Sequence, residues 1–144
     1  MRMRILIADD QPKVRFALRV ALERQPGSKV VSEAIDTTEL LTQARSIHPD
    51  ILLLDWSLPG IPAPDLLREL RRVCGEIAVI VLSEKPEIKP AALAVGADAF
   101  VSKGDPPEHL LEAINTCWRK QEENIGKKLQ TATDPTQATN ESKK

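Results

Sequence analysis

Short continuous runs of Ile, Val and Leu alternate with amphipathic segments along most of the chain. The apolar runs fall at residues 5–8, 30–31, 51–54, 77–82 and 99–101, without the period-two alternation of a strand that has one wet face. They predict strands buried on both faces of a parallel sheet.

The segments between them carry helical spacing. Val14, Ala17, Leu18, Ala21 and Leu22 follow Pro12, a residue suited to a first helical turn. Asp36 with Glu39 forms a capping-box-like start for a second helix bearing Leu40, Leu41, Ala44 and Ile47, stopped by Pro49. Leu66, Leu67, Leu70 and Val73 mark a third, with Gly75 just beyond its end. Pro86 and Pro90 confine the fourth to roughly residues 90–95, ahead of Gly96. Leu110, Leu111, Ile114 and Trp118 give the fifth its apolar face, beginning near Pro106 and Pro107. Five strands alternating with five helices predict a doubly wound α/β domain with right-handed crossovers. The flavodoxin-like strand order 2-1-3-4-5 is the leading choice for five such units.

Length and composition narrow the picture. A chain of 144 residues with 42% hydrophobic content supports one core. From Gln121 onward the large apolar residues are Ile125 and Leu129 alone, so the expected domain is 1–120, and 121–144 a helix end followed by a disordered tail or truncated linker. Twenty basic against 21 acidic residues argue against binding nucleic acid or an anionic membrane by bulk charge. Two Phe, two Trp and no Tyr leave no aromatic platform for stacking bases. Cys74 and Cys117, with no CxxC, read as reduced thiols. The apolar run in MRMRILIADD is short and ends in acids, which fits neither a signal peptide nor a membrane span; the expected compartment is the cytoplasm.

The chemistry lies in what ends each strand. The first runs into Asp9 and Asp10, the third into Asp55, the fourth into Ser83, and the fifth into Ser102 and Lys103. An open parallel sheet binds ligands outside the carboxyl ends of its strands, so these side chains are expected in one pocket. Two carboxylates about 4 Å apart repel by roughly 4 kcal/mol at an effective dielectric near 20, so three coexist ionised only with a cation. Oxygen ligands without His or Cys favour Mg²⁺. A carboxylate beside Mg²⁺, a hydroxyl and a Lys are the parts for phosphoryl transfer, with Asp55 as the nucleophile. Taken singly, each acid is as readily a turn or capping residue, Lys103 a solvated charge and Ser83 a turn hydroxyl. Their joint placement favours the functional alternative.

These residues resemble the receiver domain of two-component response regulators over residues 4–120, through ILIADDQP, DILLLDWSLPG, VIVLS and GADAFVSKGDPPEHLLEAI in order. The resemblance implies Mg²⁺ held by Asp9, Asp10, Asp55 and the main-chain carbonyl of Ser57. It implies that Asp55 accepts a phosphoryl group from a sensor histidine kinase, a phosphotransfer protein or a small phosphodonor, with Ser83 and Lys103 holding its oxygens. Phe100 falls at the switch position, or serves as a core aromatic. The surface of the fourth helix, fifth strand and fifth helix is the one implied to change, for a homodimer or an output partner.

Three departures from the family pattern stand out. Glu84 and Lys85 follow Ser83 where a small residue is usual, and an anionic Glu84 at the pocket mouth would gate access or oppose closure. The stretch from Ser83 to Lys103 is short and carries two prolines, so a different partner or dimer mode is expected. The flavour is that of receivers preceding a helix-turn-helix module, yet 121–144 cannot encode one, which leaves a lone receiver or a fragment, with no direct nucleic-acid or membrane binding. Two alternatives stay open: a phosphorylation-independent receiver-like binding module, and an aspartyl-phosphate phosphatase of the haloacid-dehalogenase type. The latter resembles a DxD motif, whereas Asp9 and Asp10 are adjacent.

Overall fold

Strands β1 (Met3–Ala8), β2 (Ser28–Ala34), β3 (Ile51–Asp55), β4 (Ala78–Ser83) and β5 (Ala99–Ser102) pair in parallel in the order 2-1-3-4-5. The computed structural model describes residues 2–133. β3 and β4 are buried throughout and β1 nearly so, because each has a strand on both sides and helices on both faces. β2 and β5 are sheet edges and half-exposed along much of their length, which corrects the expectation of burial on both faces for all five. An edge strand lacks a neighbour to cover its outer flank, so its polar positions stay wet.

The helices are α1 (Pro12–Glu23), α2 (Thr37–Ile47), α3 (Ala63–Cys74), α4 (Lys89–Ala94) and α5 (Pro107–Thr133). Asp36 caps α2 as its sequence predicts, its Oδ1 accepting from the Glu39 amide at 2.8 Å. α4 is only six residues long, preceded by a 3-10 turn at Pro86–Ile88, since the two prolines lack amide donors and fix φ. Successive strand residues point to opposite faces and build two cores. Leu6, Leu52 and Leu54 pack with Leu40, Leu67 and Leu70, on the side of α2 and α3. Ile5, Leu53 and Ile80 pack with Leu22, Leu110 and Ile114, on the side of α1 and α5. Each fully buried Leu or Ile contributes about 1.5–3 kcal/mol of transfer free energy.

α5 continues past residue 120, into the segment expected to begin with a helix end, and runs to Thr133. Gln121 Nε2 donates to the Asp50 and Glu76 carbonyls at 2.8 and 2.7 Å, tying this first residue of the polar segment to the loops that lead into β3 and β4. Residues 134–144, where a disordered tail is expected, lie outside those described. Cys74 and Cys117 are free thiols, both pushed up in pKa by burial. Among the described residues no helix is long and apolar enough to cross a membrane.

Candidate functional site

The sheet register brings the predicted strand ends together. Ala8 pairs with Leu54, so Asp9 and Asp55 follow at one level on adjacent strands, while Ser83 pairs with Ser102 and Lys103 follows. The backbone ladder runs one residue past these strand ends: the Asp9, Trp56 and Lys103 amides donate to the Ala34, Leu82 and Ser83 carbonyls at 3.0, 2.9 and 2.8 Å. Asp9, Asp55, Ser83 and Lys103 therefore project from backbone that is already hydrogen-bonded into the sheet, with Asp10 one residue beyond it.

Asp9 and Asp55 are 1% and 6% exposed, whereas Asp10 is open to solvent. Their carboxylates and that of Asp10 offer oxygens that all lie within 4.8 Å of one another. Lys103 Nζ bridges the two buried acids, at 2.8 Å from Asp9 Oδ2 and 3.3 Å from Asp55 Oδ1. Local amides complete the arrangement: Gln11 N donates to Asp9 Oδ1 at 2.8 Å, and Ser57 N to Asp55 Oδ1 at 3.2 Å. Three carboxylates facing one ammonium leave two negative charges in excess. An all-oxygen donor set with that excess fits one hard divalent cation, with Asp9, Asp10 and Asp55 as its side-chain ligands.

Burial raises the pKa of Asp55. The Ser57 amide opposes that shift, the Asp9 charge adds to it, and the charge and hydrogen bond of Lys103 oppose it, leaving the net direction upward. Burial alone would lower the pKa of Lys103, but its hydrogen bond to Asp9 and the charges of Asp55 and Asp9 outweigh this, so its ammonium is reinforced. The site thus holds a poorly solvated, comparatively basic carboxylate next to a permanent cation, which is what nucleophilic transfer of an anionic group requires.

Asp10, Asp55, Ser57, Ser83 and Lys103 line one cleft of about 450 Å³, with Glu84 and Lys85 at its mouth. The Ser83 hydroxyl accepts from the Lys85 amide at 3.1 Å, which leaves its own hydrogen free to donate into the cleft. Glu84 and Lys85 are exposed and form no ion pair among the described residues. Phe100 stands on β5 opposite Val81, half-buried against the core on the side of α2 and α3. Ser102 is turned to its own loop, its hydroxyl accepting from Gly104 N at 3.4 Å.

Two contributors carry no sequence signal. Arg15 donates to the Asp9 carbonyl at 2.7 Å and to Glu33 at 3.2 Å, fastening the Asp9–Asp10 turn to α1 and β2. Thr37 is buried where the loop after β3 passes the start of α2. Both reach the site through backbone atoms, the Asp9 carbonyl and the Ile61 amide, so no side-chain pattern announces them.

The chain matches the response regulator receiver domain over residues 5–115. It is 38% identical over 112 residues to the nitrate/nitrite response regulator protein NarP of Escherichia coli, covering 76% of this chain and 52% of that protein. The chain thus spans about half the length of the curated relatives it matches. Among solved structures, a LuxR-family two-component response regulator from Aurantimonas superposes with a TM-score of 0.74 at 32% identity, covering 81% of this chain and 84% of that one. RcsB of Salmonella typhimurium, a response regulator solved for its conformational dynamism in DNA interaction, superposes with a TM-score of 0.75 at 29% identity, covering 83% and 60%.

Proposed function

The chain belongs to the response regulator receiver domain family, and from that premise we propose that it receives a phosphoryl group on Asp55 and converts its arrival into a change of protein-binding surface. The observation that carries this is the bridging of Asp9 and Asp55 by Lys103 within a cluster of three carboxylates. Mg²⁺ held by Asp9, Asp10, Asp55 and the Ser57 carbonyl would neutralise oxygens of the transferring group.

The chain's own groups do the rest. An Asp55 carboxylate oxygen attacks the phosphorus of a phosphohistidine on a sensor histidine kinase or phosphotransfer protein, or of a small acyl phosphate. The new O–P bond forms as the P–N or leaving-group P–O bond breaks, and the leaving atom keeps the electron pair. Lys103 then pairs with one phosphoryl oxygen and Ser83 donates its hydroxyl hydrogen to another. Drawing Ser83 inward moves the residue 83–88 loop and, across the β4–β5 pair, Phe100. The α4, β5 and α5 surface follows as a population shift, read by a second copy or an output partner. Glu84 and Lys85 gate access at the mouth. Residues 1–120 form the receiver, and α5 runs beyond them to Thr133. The protein signals and is not a turnover enzyme, and this chain itself contacts neither nucleic acid nor membrane.

Incubation with acetyl phosphate and Mg²⁺ followed by intact-mass measurement tests this. One phosphoryl mass per chain is expected, lost in Asp55→Asn and on chelation; no gain from acetyl phosphate or a phosphorylated kinase contradicts it. The exposed Glu84 at the cleft mouth favours one second reading, a receiver-like binding module that works without phosphate. Many turnovers of p-nitrophenyl phosphate per chain would instead indicate an aspartyl-phosphate phosphatase.

A further inference from the structure

The loop that follows Asp55, residues 56–62, carries Ser57 and leads into α3. Its near end is fixed by the sheet: Trp56 N donates to Leu82 O at 2.9 Å and Leu58 N to Asp55 O at 3.1 Å, while the Leu58 side chain is buried. Its far end is fixed by one residue from another element. Thr37 N donates to Pro59 O at 2.9 Å, and Ile61 N donates to Thr37 Oγ1 at 3.0 Å. Between them Gly60 has φ +127°, and a Cβ built there would stand 1.8 Å from Thr37 Oγ1. Three consecutive loop residues therefore wrap one buried threonine at its amide and its hydroxyl.

The amide of Thr37, at the first position of α2, is one of the donors a helix start leaves without an internal partner, so the Pro59 carbonyl serves the helix as well. The hydroxyl has no such local use. Asp36 already caps α2, and a valine of the same shape would fill the space. The one hydrogen bond the hydroxyl accepts comes from the loop, so its role lies in the loop.

We propose that Thr37 is the positioning residue of the acid pocket: it clamps residues 59–61 so that the Ser57 carbonyl and the Asp55 carboxylate hold their ligand spacing before any cation or phosphoryl group arrives. This rests on the receiver reading of the site. It makes preorganisation of the pocket a property of the α2 start as well as of the sheet ends.

The test is titration with Mg²⁺ alone, followed by the Asp10 and Trp56 amide resonances. Thr37→Val, which keeps shape and removes the acceptor, is expected to weaken Mg²⁺ binding at least fivefold. Thr37→Ser, which keeps the acceptor, is expected to stay within twofold of wild type even where its thermal midpoint falls, a split that a merely structural role would not produce. Thr37→Val binding within twofold of wild type overturns the proposal. If that variant does not fold, amide exchange of the wild-type protein decides. An Ile61 amide protected without Mg²⁺ and unchanged by it supports the clamp; protection that appears only with Mg²⁺ overturns it. A wild-type protein whose resonances ignore Mg²⁺ overturns the clamp and the metal-binding reading together, which separates that failure from the failure of Thr37 alone.

Discussion

At the floor of the site Asp9, buried behind the cleft, and Asp55 share one ammonium and each accepts from a backbone amide two residues on, whereas at the rim Glu84 and Lys85 stand exposed without ion-pair partners among the described residues. The floor projects from the sheet ladder itself. The rim leads into a 3-10 turn and a six-residue helix punctuated by two prolines. Asp9, Asp55 and Lys103 are placed by backbone that cannot shift without breaking the sheet, while Glu84 and Lys85 stand on the segment that leaves it.

The contrast can be broken at the floor with the largest effect. Lys103→Met leaves two buried carboxylates facing each other, and about 3 kcal/mol of stability is expected to go, as for other broken buried pairs. Urea unfolding at neutral pH measures it. Adding Mg²⁺ is expected to stabilise this variant more than wild type, since the cation then supplies charge that the ammonium no longer does; equal stabilisation would separate Lys103 from the metal site.

Next in size is Gly60→Ala. The backbone there has positive φ and the new Cβ collides with Thr37 Oγ1, so a loss of about 2 kcal/mol is expected in thermal unfolding. A neutral result would mean that the loop is free to move away from α2.

At the rim the pattern inverts. Glu84→Ala is expected to change stability by less than about 0.5 kcal/mol, because the side chain is exposed and unpaired. Its rate of phosphorylation by acetyl phosphate is expected to rise about fivefold, since removing one like charge near the donor's path is worth roughly 1 kcal/mol. That gain should shrink as salt is added. A rate unchanged at low salt would show that Glu84 turns away from the donor.

Much of this contrast is legible in the residues alone. Asp9, Asp10, Asp55, Ser83 and Lys103 could be placed at one site because strand ends in a parallel sheet converge, and Pro86 before α4 with Pro90 in its first turn predict its shortness. Arg15 and Thr37 were hidden for a shared reason: their partners are the Asp9 carbonyl and the Ile61 amide, and backbone atoms have no residue identity to read. The exposed edges β2 and β5 were hidden because an apolar run reports propensity to be buried, not whether a neighbour exists on both sides. Gln121 shows the limit of composition: its amide ties α5 to two carbonyls, yet it reads as one more polar residue. The altered rim also bears on the α4, β5 and α5 surface; light scattering with and without beryllofluoride would show whether the chain dimerises on activation, and a conventional activation dimer would contradict a divergent partner mode.

The most direct test of the prewired floor is a crystal structure grown with Mg²⁺ and beryllofluoride. The expected result is a beryllofluoride group on Asp55, with Lys103 Nζ and Ser83 Oγ on its fluorides, the cation on Asp9 and Asp10, and backbone at Asp9, Asp55 and Lys103 unmoved. A bare Asp55 with Lys103 still bridging it to Asp9, under those conditions, would mean that the floor is not built to receive a phosphoryl group.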